Sequence, residues 1–142
     1  MTVAVGWSGF FSLDNAAGTP VDLTAYVTSV SLDLDKQVFD VTVFGNAGSR
    51  AKVTGLKDGK FSVTFFNDPV VQTHLVGLWG VASGVTHTFV YGPQGSTGGG
   101  TFRRITGECI MPKFAVAAVV DDVERLPTDF ECTAAITLDF FP

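Results

Sequence analysis

The sequence predicts a mainly β protein with one α-helix. Three observations support this fold class: apolar and polar residues alternate over several runs, glycine and proline separate these runs, and a single segment has helical spacing. At 142 residues without a linker-like stretch, the chain is expected to form one domain over residues 1–142. We expect about seven strands.

The N-terminal half contains the first of these strands. Residues 3–13 form a first candidate and run into a turn at residues 15–20, where Asn, Gly and Pro favour reversal of the chain. Residues 26–35, 39–43 and 61–65 then alternate with a period of two, as expected for strands with one dry face. The polar face of residues 26–35 must meet water or a partner, and it consists of Ser29, Ser31, Asp33 and Asp35.

A helix is predicted over about residues 69–82. Asp68 can cap the first turn, Pro69 suits the first helical position, and Gly84 would end the helix. Its apolar stripe recurs at helical spacing and consists of Val71, Leu75, Leu78, Trp79 and Ala82.

The C-terminal half is predicted to return to strands. Residues 85–91 are rich in β-branched and aromatic types, and residues 101–120 predict a strand that bends near Pro112. An acidic loop over residues 121–128 should turn the chain back. Residues 130–140 give the longest alternation, with one apolar row (Phe130, Cys132, Ala134, Ile136, Leu138, Phe140) opposite a polar row (Glu131, Thr133, Thr137, Asp139).

Two glycine-rich stretches are predicted to be loops, at residues 45–59 and 92–100. The second lacks the lysine and hydroxyl pattern of a phosphate-binding loop. The first holds Arg50, Lys52 and Lys57, which with the adjoining Lys60 are four of the nine basic residues, and it is long for a plain connection, which is typical of a functional surface. A solvated loop without a function is the alternative.

No catalytic, metal or cofactor site is predicted. His74 and His87 have no carboxylate at metal-site spacing, and each is expected to be a surface or satisfied buried histidine. Cys109 and Cys132 lack a nucleophile or CxxC motif and are expected to be buried free thiols, with a disulfide between them as the alternative. The chain is therefore not expected to be an enzyme, and no cofactor is expected.

Composition favours association with other protein chains. Only 16% of residues are charged while 46% are hydrophobic, so part of the apolar surface is expected to lie in contacts between subunits. The net charge of −5 argues against nucleic-acid binding but suits a surface that DNA passes without sticking. No window is long and apolar enough to predict a membrane span, so a soluble protein made in the cytoplasm is expected.

The segment over residues 21–69 resembles the tail tube (major tail) proteins of long-tailed, siphophage-type bacteriophages. The similarity lies in the order of short motifs: DLTAYV, then DVTVFG at residues 40–45, a basic polar loop, and GLKDG at residues 55–59 before a strand ending near Asp-Pro. A GECI element at residues 107–110 also fits. The resemblance extends to about Leu138 and is weaker after Pro69.

This resemblance implies a fold of two packed antiparallel sheets, a β-sandwich or barrel, with one flanking helix, as also found in type VI secretion tubes. It implies hexameric rings that stack into a tail tube, the conduit for DNA ejection. The implied partners are other copies of the chain and the tape measure, tail terminator and distal tail proteins. Genomic DNA would pass through the lumen without specific binding. The implied location is the virion tail, assembled in the cytoplasm of the bacterial host.

Two sets of residues are assigned on this basis. The lumen is expected to be lined by the polar rows Ser29, Ser31, Asp33, Asp35, Glu131, Thr133, Thr137 and Asp139. The loop at about residues 45–59 is expected to contact the next ring through Asn46, Ser49, Arg50, Lys52, Lys57 and Asp58, and to order on contact. The apolar ends, residues 1–11 and 140–142, are also expected to contribute.

Two alternatives remain open from the sequence. One is another tail or capsid component, such as a tail terminator or decoration protein, or a secretion tube subunit. The other is a monomeric ligand-binding β-barrel, in which the aromatic residues Phe61, Phe65, Phe89 and Tyr91 line a pocket instead of a core.

Overall fold

The computed structural model of the chain describes residues 9–96, 100, 102–116, 120, 123–134 and 136–142 and, at Asn46, the backbone. These residues form eight β-strands and one α-helix: β1 (Phe10–Asp14), β2 (Pro20–Asp22), β3 (Val27–Asp40), β4 (Lys52–Phe66), α1 (Pro69–Trp79), β5 (His87–Gly92), β6 (Arg103–Phe114), β7 (Arg125–Cys132) and β8 (Thr137–Phe140). Short 3-10 turns precede β3, at Thr24–Tyr26, and follow it, at Phe44–Asn46.

The eight described strands belong to one antiparallel sheet with the order β2-β1-β5-β6-β7-β4-β3, and β8 pairs with β6. The sheet curls so that its two halves face each other. Phe11 of β1 lies 6.2 Å from Phe61 and 6.0 Å from Phe65 of β4, measured between ring centroids, although three strands separate β1 from β4. The two layers expected of a sandwich are thus halves of one hydrogen-bonded sheet, and the prediction of a mainly β fold with one helix is confirmed.

Aromatic rings fill the space between the two layers. Phe61 stacks on Phe130 with ring centroids 4.6 Å apart and contacts Phe89 at 4.4 Å. Phe61, Phe65 and Phe89 are buried, and Tyr91 is half-buried. Each buried phenylalanine contributes roughly 1.5–3 kcal/mol. The aromatic rows therefore form a core.

Helix α1 begins where the sequence predicts. The Asp68 carboxylate accepts a hydrogen bond from the Val70 N–H at 2.9 Å, and Pro69 occupies the first helical position. The helix ends at Trp79, three residues earlier than predicted, because Gly80 caps it. No helix in the described part of the chain is long and apolar enough to cross a membrane.

The buried side of α1 differs from the predicted stripe at three positions: His74 is added, Trp79 is exposed, and Ala82 lies beyond the helix and is exposed. Val71, His74, Leu75 and Leu78 are buried, whereas Trp79 is 58% exposed. The Trp79 ring contacts Phe114 of β6 edge-on, with centroids 5.8 Å apart. Trp79 thus lies at the rim of the helix–sheet contact.

The segment over residues 45–59, predicted as a loop, is strand from Lys52 onward. Strands β3 and β4 pair continuously from Val27 and Phe65 to Asp40 and Lys52, so only residues 41–51 connect them. The separate runs at 26–35 and 39–43 are likewise one strand up to Asp40, with a register irregularity between Lys36 and Val38. The strand was missed because both of its faces are exposed, so it carries no alternation of polarity.

The alternating run over residues 130–140 is interrupted. Both β7 and β8 lie along the same edge of β6, but residues 133–136 separate them. Cys132 pairs with Cys109 and Thr137 pairs with Thr106, so four intervening residues on this side correspond to two on β6, the unequal count of a β-bulge. Beyond it Leu138 and Phe140 are exposed instead of continuing the buried row.

Three smaller predictions have different outcomes. The turn at residues 15–20 is confirmed, since the Asn15 side-chain oxygen accepts the N–H groups of Ala17 and Thr19. The irregularity at Pro112 is confirmed by a register shift in β6. The acidic loop over residues 121–128 is wrong at its end, because β7 already begins at Arg125; residues 121 and 122 lie outside the described residues.

Two histidines are buried where α1 meets the sheet. His74 is 8% exposed and His87 is 3% exposed, and the buried Nε2 of His74 has no hydrogen-bond partner among the described residues. Burial lowers the pKa of both imidazoles. The charge of Asp14 opposes this shift at both histidines, a backbone hydrogen bond to Asp14 opposes it at His74, and Glu108 opposes it at His87. Both imidazoles are therefore held neutral, and His74 is buried without being fully satisfied.

We predict that stability falls as the pH drops below about 6.5, the ordinary pKa of histidine. Below that pH the histidines of the unfolded chain bind protons, whereas burial opposes proton binding in the folded chain. The contribution of the two histidines to stability is therefore complete above pH 6.5 and is lost as the pH falls through their lowered folded-state pKa values. Urea unfolding at pH 7.5 and 5.5 measures the loss. The His74→Phe variant should lose less stability over the same range. An unchanged free energy of unfolding of the wild type between the two pH values contradicts this prediction.

Candidate assembly surfaces

The outer part of the β3–β4 hairpin extends away from the core, and we term residues 36–57 the arm. Residues 60–65 of β4 pair with both β3 and β7, whereas residues 52–58 pair with β3 alone. Apart from half-buried Ala51, and with the Asn46 side chain outside the description, the arm side chains are exposed. A two-stranded ribbon with both faces in water is marginally stable by itself. The arm therefore has the properties of a segment that gains stability from a partner.

The arm exposes an unusual amount of apolar surface. Its exposed large hydrophobic residues are Val38, Phe39, Val41, Val43, Phe44, Val53 and Leu56. The ring of Phe44, at the tip, is fully exposed. Contiguous exposed apolar surface of this kind marks interaction sites on soluble proteins.

Charge separates the arm from the rest of the chain. Four cations and one carboxylate, Asp40, give the arm a net charge of +3, so the remaining residues carry −8 of the total of −5. Lys36 lies directly opposite Lys57, and Asp35 lies opposite Asp58 at the arm's base. Like charges in directly opposed positions destabilise a strand pair. Charges on a partner can relieve this repulsion.

The tip of the arm is held by a local polar network. The Asp40 carboxylate accepts hydrogen bonds from the backbone and hydroxyl of Thr42 and from Arg50, which lowers the pKa of Asp40, chiefly through the Thr42 hydroxyl. The Ala51 N–H donates to the Thr42 hydroxyl at 2.9 Å. Ala47 has a positive φ of 50°, which reverses the chain. The tip thus has internal order without a partner.

The residues predicted to contact a neighbouring ring lie on or beside this arm. Ser49 and Arg50 are exposed in the connection, Lys52 and Lys57 are exposed on β4, and Asp58 adjoins the arm's base. Asn46 lies in the 3-10 turn at the tip. The expectation that this segment orders on contact does not hold for residues 52–58, which are already paired with β3.

A second surface is the outer face, the side of the sheet turned away from the core. Ser29, Ser31, Asp33 and Asp35 of β3 are all exposed, as predicted from the alternation. Strand register continues their rows across the sheet: Ser31 lies beside Ser62 and then Asp129, and Asp33 lies beside Lys60 and then Glu131. Ser62 donates to Asp129 at 2.8 Å. The predicted residues on β3 and β7 therefore share one face.

The outer face is acidic. By register and alternation, its part on β3, β4, β6, β7 and β8 holds seven carboxylates and four cations, a net charge of −3 among the described residues. The carboxylates are Asp33, Asp35, Asp58, Glu108, Asp129, Glu131 and Asp139, and the cations are Lys60, Lys113, Arg104 and Arg125. Such a surface repels polyanions at short range.

The C-terminal members of the predicted polar row differ among themselves. Asp139 forms a two-pronged ion pair with Arg104, with N–O distances of 2.9 and 2.6 Å, and this pairing lowers the pKa of Asp139. Thr137 is exposed on β8, and Thr133 is exposed in the bulge, where its N–H donates to the Glu108 carbonyl. Because Asp139 is paired with Arg104, it contributes less negative charge to the outer face than the alternation of residues 130–140 indicated.

Sequence reasoning missed the partners that the register supplies. Lys60 lies between Asp33 and Glu131, and Arg104 lies beside Asp139, but each belongs to a strand distant in sequence from the predicted residues it neighbours. The alternation within residues 61–65 and 130–140 was a usable signal for the exposed positions of β4 and β7. It gave no information on which strands are neighbours.

The chain ends are only partly available for contacts. Phe141 is buried against its own chain and contacts Phe10 edge-on at 5.9 Å, while Phe140 is 44% exposed beneath Arg103. Residues 1–8 lie outside the described residues. The predicted contribution of the C-terminal end is thus limited, at Phe141, by packing within the subunit.

Neither surface has the side chains of a metal site among the described residues. No group of three or more His, Cys, Asp or Glu side chains in the described ranges is placed to hold a metal ion. Cys109 is buried and Cys132 is half-buried, and both are free thiols. Burial raises the pKa of both thiols, which disfavours the reactive thiolate.

No protein-family model and no curated protein matches the sequence. Solved structures do match the fold over nearly its whole length. The SPP1 tail tube has a TM-score of 0.75 at 9% identity, covering 97% of this chain and 80% of that one. The tail of an empty gene transfer agent particle, refined with C6 symmetry, has a TM-score of 0.71 at 12% identity, covering 95% and 98%. The baseplate of the anti-feeding prophage, 6-fold symmetrised, gives 0.65 at 10% identity, covering 97% and 96%. The chain therefore has the fold of these tail and baseplate subunits.

Proposed function

We propose that the chain is a non-enzymatic structural subunit that forms hexameric rings, which stack into the tail tube of a bacteriophage-type particle. The observation that carries the proposal is the arm, an exposed ribbon that is apolar and basic on an otherwise acidic subunit. The fold similarity to tail structures over 95–97% of the chain supports it. In this function the tube is the conduit for DNA ejection.

Two different surfaces in contact form a heterologous interface. A heterologous interface that closes generates a ring, and a second one repeated along an axis generates a filament. The arm is positively charged and the remaining residues are negatively charged, so the arm of one copy is attracted to the acidic body of the next. Head-to-tail stacking therefore brings opposite charges together.

Ring closure is assigned to the edges of the sheet. Strand β3 pairs only with β4 among the described strands, so its outer edge offers unsatisfied backbone groups to a neighbour. Pairing along this edge would continue the acidic outer face from subunit to subunit. The lumen wall in this proposal includes Ser29, Ser31, Asp33, Asp35 and Glu131, with Thr133, Thr137 and Asp139 nearer β6.

The remaining partners follow from the tube. A tube needs a tape measure protein inside it, a terminator at one end and a distal tail protein at the other. We assign the chain to the virion tail and its assembly to the host cytoplasm. Among the alternatives, the tail terminator, the decoration protein and the secretion tube subunit differ in assembly, not in fold. The ligand-binding barrel is disfavoured because Phe61, Phe89 and Phe130 pack on each other.

The first test is polymerisation. The purified chain at increasing concentration should form rings or tubes visible by negative-stain electron microscopy. The Phe44→Ser variant should raise the critical concentration, measured by sedimentation, by roughly 10- to 100-fold, because burying phenylalanine contributes about 1.5–3 kcal/mol and each 1.4 kcal/mol is tenfold.

Val76→Ser is the matched control for Phe44→Ser. Val76 is 53% exposed on α1, away from the arm, so its replacement should leave the critical concentration unchanged. A wild-type chain that stays monomeric at all concentrations contradicts the proposed function. A Phe44→Ser variant that assembles like wild type removes the arm tip from the interface.

The like-charge pair at the arm's base gives a second test. The Lys57→Glu variant places opposite charges across β3 and β4, so the isolated subunit should gain about 0.2–1 kcal/mol in the free energy of unfolding. Because the arm then carries less positive charge, assembly should weaken and lose part of its salt dependence. Urea unfolding and sedimentation at two NaCl concentrations measure the two effects.

Lys57→Gln removes the charge without reversing it and should give intermediate values in both measurements. A Lys57→Glu variant that both folds more stably and assembles more readily contradicts the role of arm charge in stacking.

The acidic outer face gives a third test. Replacing Asp33 and Asp35 with lysine should leave tubes able to assemble yet slow DNA ejection, because cations in the wall attract phosphates. The rate of dye-labelled DNA release from particles measures this. The Asp33→Asn and Asp35→Asn pair should have a smaller effect. Ejection at the wild-type rate from the lysine variant removes these two residues from the lumen.

A further inference from the structure

The only two cysteines of the chain face each other across neighbouring strands. Cys109 of β6 is the register partner of Cys132 of β7. The N–H of Thr133 donates to the carbonyl of Glu108 at 3.0 Å. A hydrogen bond between the residues flanking a pair makes that pair a non-hydrogen-bonded one, with Cα atoms about 4.5 Å apart. Disulfides bridge Cα separations of roughly 4.4–6.8 Å.

Both thiols lie on the core-facing side of the sheet. Cys109 is fully buried, and Cys132 is half-buried against the same core. A Cβ placed on Gly59 would meet the Cys132 Sγ at 3.3 Å, so this thiol leans towards β4. A change of the Cys132 rotamer would turn the thiol away from Gly59 and towards Cys109.

The two thiols differ in access. Cys132 lines a cavity of about 710 Å³ between the base of the arm and residues 133–138. A cavity of this size admits a small organic molecule. Cys109 has no exposed surface. A solute in the cavity therefore reaches Cys132 first, and Cys109 is the nearby second thiol.

We propose that Cys109 and Cys132 form an intrachain disulfide when the subunit meets a low-molecular-weight disulfide in an oxidising medium. The Cys132 thiolate attacks that disulfide, forms a mixed disulfide and expels one small thiolate. The Cys109 thiolate then attacks the Cys132 sulfur, forms the intrachain bond and expels the second small thiolate. The two cysteines lose two protons and two electrons, and the small disulfide is reduced to two thiols.

The chemistry fits a pair that is stable as a dithiol until an oxidant arrives. Burial raises the pKa of both thiols, so the thiolates are scarce and exchange is slow under reducing conditions. The bond would tie β6 to β7 at the residue where β7 gives way to the bulge. This inference does not depend on the proposed function.

The experiment is oxidation of the full chain with oxidised glutathione at pH 8, followed by intact mass spectrometry. The wild type should lose the mass of two hydrogens, have no titratable thiol after denaturation and run as a monomer on a non-reducing gel. Its melting temperature should rise and return to the starting value with dithiothreitol. The wild-type result does not require any variant to fold.

Two variants fix the order of the steps. Cys109→Ala should retain one glutathione on Cys132, because no second thiol resolves the adduct. Cys132→Ala should stay unmodified, because Cys109 is buried. The proposal is overturned if the wild type ends with glutathione on Cys132 and a free Cys109, if it remains a dithiol, or if it forms dimers linked through Cys132.

Discussion

The proposed assembly of the chain depends on one strand, β4, whose surroundings change at Lys60. From Lys60 to Phe65 the strand is paired on both edges, and its inward residues Phe61, Val63 and Phe65 are buried. From Lys52 to Asp58 it pairs on one edge and is exposed on both faces. The same strand thus anchors the core and extends into the arm. Because the core fixes one end of β4, the arm continues in the direction that the core sets, although the arm has no core of its own.

Alternation in sequence reports burial on one face, and this explains which elements could be predicted. The strands around Ser31, Phe61 and Phe130 each have one dry face and were found. The arm half of β4 has no dry face, and Gly55 and Gly59 give it the composition of a loop. The bulge at residues 133–136 was invisible because the pattern of residue types continues through it. Its consequence, the exposure of Leu138, follows only from the register with β6.

The candidate surfaces were predictable to different degrees for the same reason. Exposure of Asp33 and Asp35 follows from alternation within one strand. The neighbours that set their electrostatics, such as Lys60 and Glu131, depend on the order of strands in the sheet, which local pattern does not encode. The apolar character of the arm was also hidden. Val41 and Val43 were interpreted as part of a strand with a dry face, whereas the structure exposes both.

The arm's composition also bears on why assembly should be cooperative. Each apolar side chain buried at an interface contributes about 1.5–3 kcal/mol, whereas association costs an estimated 4–15 kcal/mol in lost translational and rotational freedom. A single arm inserting two or three side chains such as Phe44 and Leu56 therefore barely offsets the cost of joining two subunits. In the proposed stack of rings, all arms of one ring would engage the next ring at once, and the later contacts would be intramolecular. Contacts that are weak one by one would then hold a long polymer while single subunits stay dispersed, because the exposed apolar residues of the arm contribute enough only when many arms bind together.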